Sequence, residues 1–361
     1  MTETEQQQAA LSPIALGRLS RRPLVSVLVS NYNYAAYLPE TIESVLGQEY
    51  TAWELIVCDD GSTDHSREIV SDYARRDARI RLLAKENGGH ASGLNAAFRA
   101  AQGEIVCLLD SDDLFLPDKL QRVVDCCILN PDCGLIVHRV LRVTKDRKKQ
   151  GVWPLTGELP AGWWGPRALR EAGIVPYMPP TSGLSLRREA AERLFPLPVT
   201  PPVHICPDQV LMRLAPLVTP IARLTDALAE QRLHQSNTYG AHRMTVATVS
   251  REMMLMDALW GEQRDLLAGI DDQLAAQLEP IGDAQHMLFL NYVRAKLSRD
   301  PEVRSSHTRY MKVLRADPHG RHVRLWQASL SFPVWLFERI LNFLFGQNRV
   351  KQWLARARGA A

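Results

Sequence analysis

The stretch Glu104–Asp113, Glu-Ile-Val-Cys-Leu-Leu-Asp-Ser-Asp-Asp, constrains this chain more than any other, because an apolar run ends there in three carboxylates within four residues. Short apolar runs bounded by turn residues read as buried strands of a parallel sheet, and such sheets bind ligands beyond the carboxyl ends of their strands. Asp110, Asp112 and Asp113 are therefore expected at a ligand crevice. Like charges at one strand tip raise one another's pKa unless a cation joins them, and oxygen-only ligands suit Mg2+ or Mn2+. The plain alternative is an acidic turn capping a helix that Pro117 starts, and Asp113 is expected to take that cap.

The residues upstream repeat the pattern. Pro23–Ser30 is a β-branched run ending in Asn31-Tyr32-Asn33-Tyr34, Trp53–Cys58 is a second strand ending in Asp59-Asp60-Gly61-Ser62, and Arg79–Ala84 is a third. Helical stripes lie between them at Leu38–Gln48, Asp64–Arg75 and, after the turn Asn87-Gly88-Gly89, Ala91–Ala101. This alternation predicts an α/β domain with a Rossmann-like, mostly parallel sheet and helices on both faces. A helix carrying Leu120, Val123 and Cys127 inward, a strand over Cys133–Val143 and a charged hairpin tip at Lys145–Lys149 follow. Residues 153–207 turn to Pro, Gly and Trp, a loop-rich side in which Leu184–Arg187 reads as a strand and Arg188–Leu194 as a helix. Trp163 and Trp164 there either stack on a ligand or pack internally. Residues 241–315 are helical in pattern. The expected organisation is a flexible tail over 1–22, a catalytic domain over 23–240 and a helical C-terminal region over 241–361.

Bulk charge excludes little: 43 basic and 40 acidic residues leave a formal +3, which gives no argument for nucleic acid. The six cysteines show no C-x-x-C spacing, and Cys58 and Cys107 lie inside apolar runs, so buried free thiols in a reducing, cytoplasmic compartment are expected. Residues 1–22 hold no apolar core of signal-peptide length.

Five segments, in order, resemble one family: Ser-Val-Leu-Val-Ser-Asn-Tyr-Asn, Leu-Ile-Val-Cys-Asp-Asp-Gly-Ser-Thr-Asp, Asn-Gly-Gly-x-x-x-Gly-Leu-Asn, the opening stretch, and Leu-Pro-Asp-Lys-Leu. They are similar to the family 2 inverting glycosyltransferases with the GT-A fold, over about residues 23–240. The resemblance implies a nucleotide-diphosphate sugar, UDP-linked by preference, lying over the first half of the sheet. It assigns donor contacts to Ser30, Tyr32, Asp60, Asn87, Asn95, Asp110 and Ser111, with Tyr32 stacking near the base and Asp60 accepting from its imide N–H. Asp110 and Asp112 match the D-x-D pair, the first toward ribose and metal, the second toward the metal on the diphosphate. Gly93-Leu94-Asn95 stands where the family often has Ala-Arg-Asn, so one cationic contact is either missing or supplied from elsewhere in the chain. Cys206-Pro207-Asp208-Gln209 resembles the family's acidic segment, and Arg232-Leu233-His234 its closing R-x-H.

The chemistry explains these residue types. A carboxylate-held metal neutralises a departing nucleoside diphosphate, and His234 reaches that metal or braces a loop. A carboxylate on the opposite sugar face must take the acceptor's proton, which makes Asp208 the proposed base, its ionised form favoured at a helix start. Asp59 is expected only to fix its turn. A nucleotidyltransferase is disfavoured because the loop after strand one lacks Gly and Lys, and a non-catalytic sugar-binding scaffold because Asp110, Asp112 and Asp208 are all present. Acceptors implied are glycans or lipid-linked sugars of surface polysaccharide or glycolipid synthesis. Residues 332–345 put Leu336, Phe337, Ile340 and Leu341 on one face, with Arg349, Lys351, Arg356 and Arg358 following. That pattern fits a helix lying in an anionic membrane at the inner face of the cell membrane, or one packed on its own region or in a homo-oligomer.

Overall fold

The computed structural model describes residues 10–154, 158–170, 178–234, 244–316 and 323–345. Strand β1 (Val25–Asn31) is buried at every position, as a run without polar alternation must be when helices cover both faces of its sheet. Then come α1 (Leu38–Leu46), β2 (Trp53–Asp59), α2 (Ser66–Arg76), β3 (Ile80–Ala84), α3 (His90–Ala100) and β4 (Ile105–Leu108), the alternation read from the sequence. β3, β2, β1 and β4 lie side by side and parallel.

The chain continues through β5 (Leu114–Phe115), α4 (Lys119–Leu129), β6 (Leu135–Thr144), β7 (Lys149–Trp153), α5 (Gly165–Arg170), β8 (Leu184–Arg187), α6 (Arg188–Leu194), α7 (Pro207–Val218) and β9 (Ile221–Leu233). The sheet runs β3-β2-β1-β4-β8-β6-β9-β5, with β7 paired to β6. The parallel order holds through β4 and β9 again runs parallel to β6, whereas β8, β7 and β5 are antiparallel additions. Register decides what meets at the carboxyl edge. Asn31 lies opposite Asp59 and Leu28 opposite Leu108, so β2 ends level with β1 while β4 ends earlier, and the residues that follow β2 and β4 carry Asp60 and Asp110 to one rim.

The core on one face joins Val25, Val27, Leu55, Val57, Ile105 and Cys107 of the sheet to Leu38, Ile42, Leu120 and Val123 of the helices. All six cysteines are free, five of them buried. Helix α4 begins at Lys119 behind Asp118, so neither Pro117 nor Asp113 opens it, which corrects that expectation. Residues 14–20, expected within a loose tail, are tied down: Ile14 N–H donates to Val218 O (2.9 Å), Gly17 N–H to Glu189 (3.0 Å) and Ser20 N–H to Glu104 (2.8 Å). Residues 1–9 of that tail lie outside the described residues.

The chain divides into two compact units, one of Met1–Ala168, Val175–His234 and Asp265–Ala276, the other of Leu169–Ile174, Gln235–Arg264 and Gln277–Ala361. Helices α8 (Val246–Ala268), α9 (Asp272–Gln277), α10 (Gln285–Ser298), α11 (Val303–Ala316), α12 (Val323–Ser329) and α13 (Val334–Phe345) make up the helical region. The second unit closes on aromatic rings, with Tyr292 against Phe337 (5.6 Å) and Phe289 against Trp326 (5.2 Å), and with the Tyr292 hydroxyl paired to Ser329 at 2.7 Å. Phe337 and Leu341 are fully buried. The face of 332–345 expected in a membrane interface therefore packs within its own unit at these positions, while Trp335 stays 61% exposed. Among the described residues no helix is long and apolar enough to cross a membrane, and the basic residues after 345 lie outside them.

Behind the sheet, Gly103 is pressed so closely on β1 that an added Cβ would fall 2.5 Å from Ser26 N and 2.7 Å from Leu24 O. Backbone atoms of a buried strand cannot yield, so Gly103→Ala is expected to destabilise the protein by about 1–3 kcal/mol, the usual scale for overpacking, read as a lower urea midpoint. An unchanged midpoint would mean that α3 and β4 can part there without loss.

Candidate active site

The loop after β4 is gripped from three sides. From α1, the Thr41 hydroxyl lies 3.0 Å from Ser111 O and 2.9 Å from Asp113 O and donates to them. From the segment before β8, Ser182 Oγ accepts the Asp110 N–H (3.1 Å) and donates to Asp113 Oδ2 (2.6 Å). From β9, the Arg232 N–H donates to Asp113 Oδ1 (2.9 Å). Both oxygens of Asp113 are thus engaged, and this buried carboxylate fixes the loop instead of capping a helix. Asp110, Asp112 and Asp113 still bring carboxylate oxygens within 4.8 Å of one another.

The electrostatics fit a cation. Burial first, then the charges of Asp113, Asp112 and Asp208, pushes Asp110 well above the usual carboxylate range. Burial and Asp112 do the same to Asp113, against the hydrogen bond from Ser182. Such a cluster holds protons until a positive charge replaces them. Asp110 Oδ1 is buried without a hydrogen-bond partner in the chain, and the oxygen donor set suits Mg2+ or Mn2+. Asp112 Oδ2 meets His234 Nε2 at 2.7 Å, the kind of second contact that fixes a ligating carboxylate's orientation.

His234 is itself held by rings that the sequence reading did not single out. It stacks on Tyr37 (4.9 Å, 15°) and tilts against Tyr34 (5.8 Å). Arg232 lies over Tyr37 at 5.1 Å and reaches Glu40 at 3.3 Å. Burial, then Asp112 and Asp110, pushes the Tyr34 hydroxyl up. The only sequence signal was a Tyr-rich loop after strand one. Tyr32, the ring singled out there, is 46% exposed.

The remaining predicted residues divide. Asp60 is buried and takes the N–H groups of Gly88 (3.1 Å) and Gly89 (2.8 Å) and the Lys85 ammonium (2.5 Å); it organises the glycine turn beside the site. Gly89 has φ +91°, a conformation glycine adopts without strain. Asp59 fixes its turn as expected, accepting Ser62 N–H (3.0 Å), Arg67 Nε–H (2.6 Å) and Asn31 Nδ2–H (3.1 Å). Although burial opposes it, these partners, Ser62 foremost, hold the Asp59 carboxyl below its ordinary value. Asn87 is exposed at the rim. Asn95 is engaged elsewhere: its carboxamide is buried and closes a two-bond clamp on the backbone of Leu197 (2.8 and 2.7 Å). Ser30 and Ser111 are buried, Ser30 directly beneath Gly93 of α3. Trp164 is half-buried and donates to Ala161 O (3.1 Å), a local bond at the surface.

Asp208 opens α7 behind Pro207, and its charge is felt at Asp110. Burial pushes its carboxyl up, against the N–H of Gln209 (2.9 Å) and its own. The helix start was expected to favour the ionised form; desolvation outweighs it. On the other side His90, at the first turn of α3, places Nε2 3.5 Å from Asp110 Oδ1. His204 packs its ring on Gly89, where an added Cβ would fall 2.7 Å from it. Neither histidine stood out in the sequence, because each gains its place only through the fold.

Residues 26–195 match the sequence profile of the family described as "Glycosyl transferase family 2". The chain is 34% identical over 236 residues to the uncharacterized glycosyltransferase alr2836 of Nostoc sp. (strain PCC 7120 / SAG 25.82 / UTEX 2576), covering 63% of this chain and 69% of that protein. It is 43% identical over 105 residues to the putative teichuronic acid biosynthesis glycosyltransferase TuaG of Bacillus subtilis (strain 168), which is 29% of this chain and less than half, 42%, of that one. Among solved structures, the mannosyltransferase PcManGT of Pyrobaculum calidifontis, in complex with GDP-Man and Mn2+, superimposes with TM-score 0.50 at 19% identity over 95% of this chain and 86% of that chain. That likeness concerns the fold.

Replacing Asp112 by Asn keeps a partner for His234 while removing one charge from the cluster. Asp112→Asn is expected to weaken Mn2+ binding at least about tenfold, read by Mn2+ electron paramagnetic resonance titration, without lowering the unfolding midpoint of the metal-free protein, since like-charge repulsion is relieved. Undiminished Mn2+ affinity would remove Asp112 from the metal site.

Proposed function

Because the chain belongs to glycosyl transferase family 2, we propose that this glycosyltransferase moves a sugar from a nucleotide-diphosphate sugar, UDP-linked by preference, to a hydroxyl acceptor with inversion, and that Mg2+ or Mn2+ assists. One observation carries the reading: a half-buried carboxyl, Asp208, sits at a helix start within electrostatic reach of Asp110 in the acidic cluster. A base and a cation-holding cluster close to one another are what in-line displacement at an anomeric carbon requires.

In this reading Asp110 and Asp112 hold the cation, which when bound neutralises the charge developing on the departing diphosphate. His234 orients Asp112, and Tyr37 and Tyr34 hold His234. Asp208 accepts the proton of the attacking hydroxyl. A carboxylate with a raised pKa is a stronger base than an ordinary one, and it must be ionised before it acts. Tyr32 and Asn87 at the rim, together with Ser30 and Ser111, are our candidates for nucleotide contacts. Asp60 also belongs to them, provided that the base imide replaces one of its present donors.

The acceptor we propose is a glycan or lipid-linked sugar of surface polysaccharide or glycolipid synthesis, in keeping with the teichuronic acid biosynthesis of the TuaG relative. The setting we propose is the cytoplasmic side of the membrane. Free cysteines, the exposed Trp335 and the run Arg349, Lys351, Arg356, Arg358 support it. Contact with anionic lipid would then use this second face of α13 and leave Phe337 and Leu341 in place.

A screen of UDP- and GDP-sugars with Mn2+, read as release of nucleoside diphosphate, tests the donor class, and turnover of none of them would count against it. Asp208→Asn should leave donor affinity nearly unchanged and lower transfer at least about a hundredfold; an equal loss of affinity would make Asp208 a binding residue. The pH dependence has a definite sign. Transfer should fall as pH drops through the raised pKa of Asp208, giving an acid limb above the ordinary carboxylate range that Asp208→Asn abolishes. The same shift acts oppositely on stability: a carboxyl raised in the folded state contributes most below its unfolded pKa and loses that contribution as pH rises.

A further inference from the structure

Two buried polar atoms at the site have no hydrogen-bond partner in the chain: Asp110 Oδ1 and His90 Nε2. They stand 3.5 Å apart, beyond the roughly 2.7–3.2 Å of an N–H···O bond, so they face each other without satisfying each other. Groups buried in this way are costly unless something else meets them. We propose that His90 and Asp110 together bind a vicinal diol of the donor, making His90 a specificity-determining residue.

The chemistry of the two atoms suits this ligand. Beside an acceptor-only carboxylate the proton belongs on Nε2, since the other tautomer would set two lone pairs face to face. The pair therefore offers one donor and one acceptor side by side. Phosphate oxygens only accept, and a metal-bound water only donates, so neither satisfies both. Neighbouring ring hydroxyls do: their oxygens lie about one hydrogen-bond length apart, roughly 3 Å, and each both donates and accepts. His90 is not the cation's own ligand in this arrangement. Among the described residues the one group of three or more whose ligand atoms all lie within 4.8 Å of one another is Asp110, Asp112 and Asp113, and His90, on α3, is outside it.

A nucleotide sugar carries such diols on its ribose and on its hexose, and the inference rests on the nucleotide-sugar reading above. The test is calorimetric titration of the full chain in Mn2+ with UDP and GDP, with the 2′- and 3′-deoxy forms of whichever binds, and with the corresponding diphosphoglucose. If the diol is the ribose's, losing one hydroxyl weakens wild-type binding about tenfold, the scale of one hydrogen bond. His90→Ala then binds the parent nucleotide about as weakly and no longer distinguishes one deoxy form, and His90→Gln, which keeps an N–H, restores the distinction. If the diol is the hexose's, His90→Ala binds the nucleoside diphosphate as wild type does and loses about tenfold only on the sugar nucleotide. The inference is overturned if His90→Ala keeps every discrimination, or if its main loss is Mn2+ affinity measured without nucleotide. Wild type binding neither UDP nor GDP would instead sink the nucleotide-sugar reading and this inference with it.

Discussion

The site depends on one buried carboxylate that faces no substrate. Asp113 takes a hydroxyl from the segment before β8 and a backbone N–H from β9, and its own carbonyl is held by α1. Three elements far apart in sequence are thereby joined at the tip of β4. A buried carboxyl group with both oxygens engaged is a rigid anchor, because letting go leaves buried polar atoms unsatisfied. Asp110 and Asp112, three residues and one residue from this anchor, inherit that rigidity. The loop can present two repelling charges to one spot because the third has been turned into scaffold.

The histidines extend the same logic outward. His234 arrives at Asp112 because β9 pairs with β5 in a register that sets Leu114 against Glu230, two residues before Arg232 bonds Asp113. Tyr37 and Tyr34 then close over His234 from the loop after β1. On the opposite side, α3 carries His90 to Asp110, and His204 packs on the Gly89 turn that Asp60 gathers. The segment leading to Asp208 therefore rests on the turn at the foot of α3, which links the position of the base candidate to that of the cluster within one unit.

The helical region shows how an amphipathic pattern alone underdetermines its partner. The stripe through Phe337 and Leu341 fits a membrane interface or a protein core equally well, since both are apolar on one side. Aromatic rings from α10 and α12 occupy that side, and what the pattern leaves outside is Trp335.

What the sequence determined by itself was whatever follows from local pattern: the β-α alternation through β4 and the acidic tips of β2 and β4 at one edge of the sheet, with Asp110, Asp112 and Asp208 as candidates. Apolar periodicity and turn chemistry act over a few residues and can be read directly. What only the tertiary structure decided was which polar groups find partners. Asp59, Asp60, Asp112 and Asp113 look alike in sequence, yet one ties a turn, one gathers a glycine loop, one meets His234 and one anchors the site. Asn95 reads as a ligand and its carboxamide clamps Leu197, whereas His90 reads as nothing and faces Asp110. The reason is physical: a carboxylate's role and its pKa are set by burial and by neighbours a hundred residues away, and the register that brings those neighbours in is fixed by packing of the whole sheet.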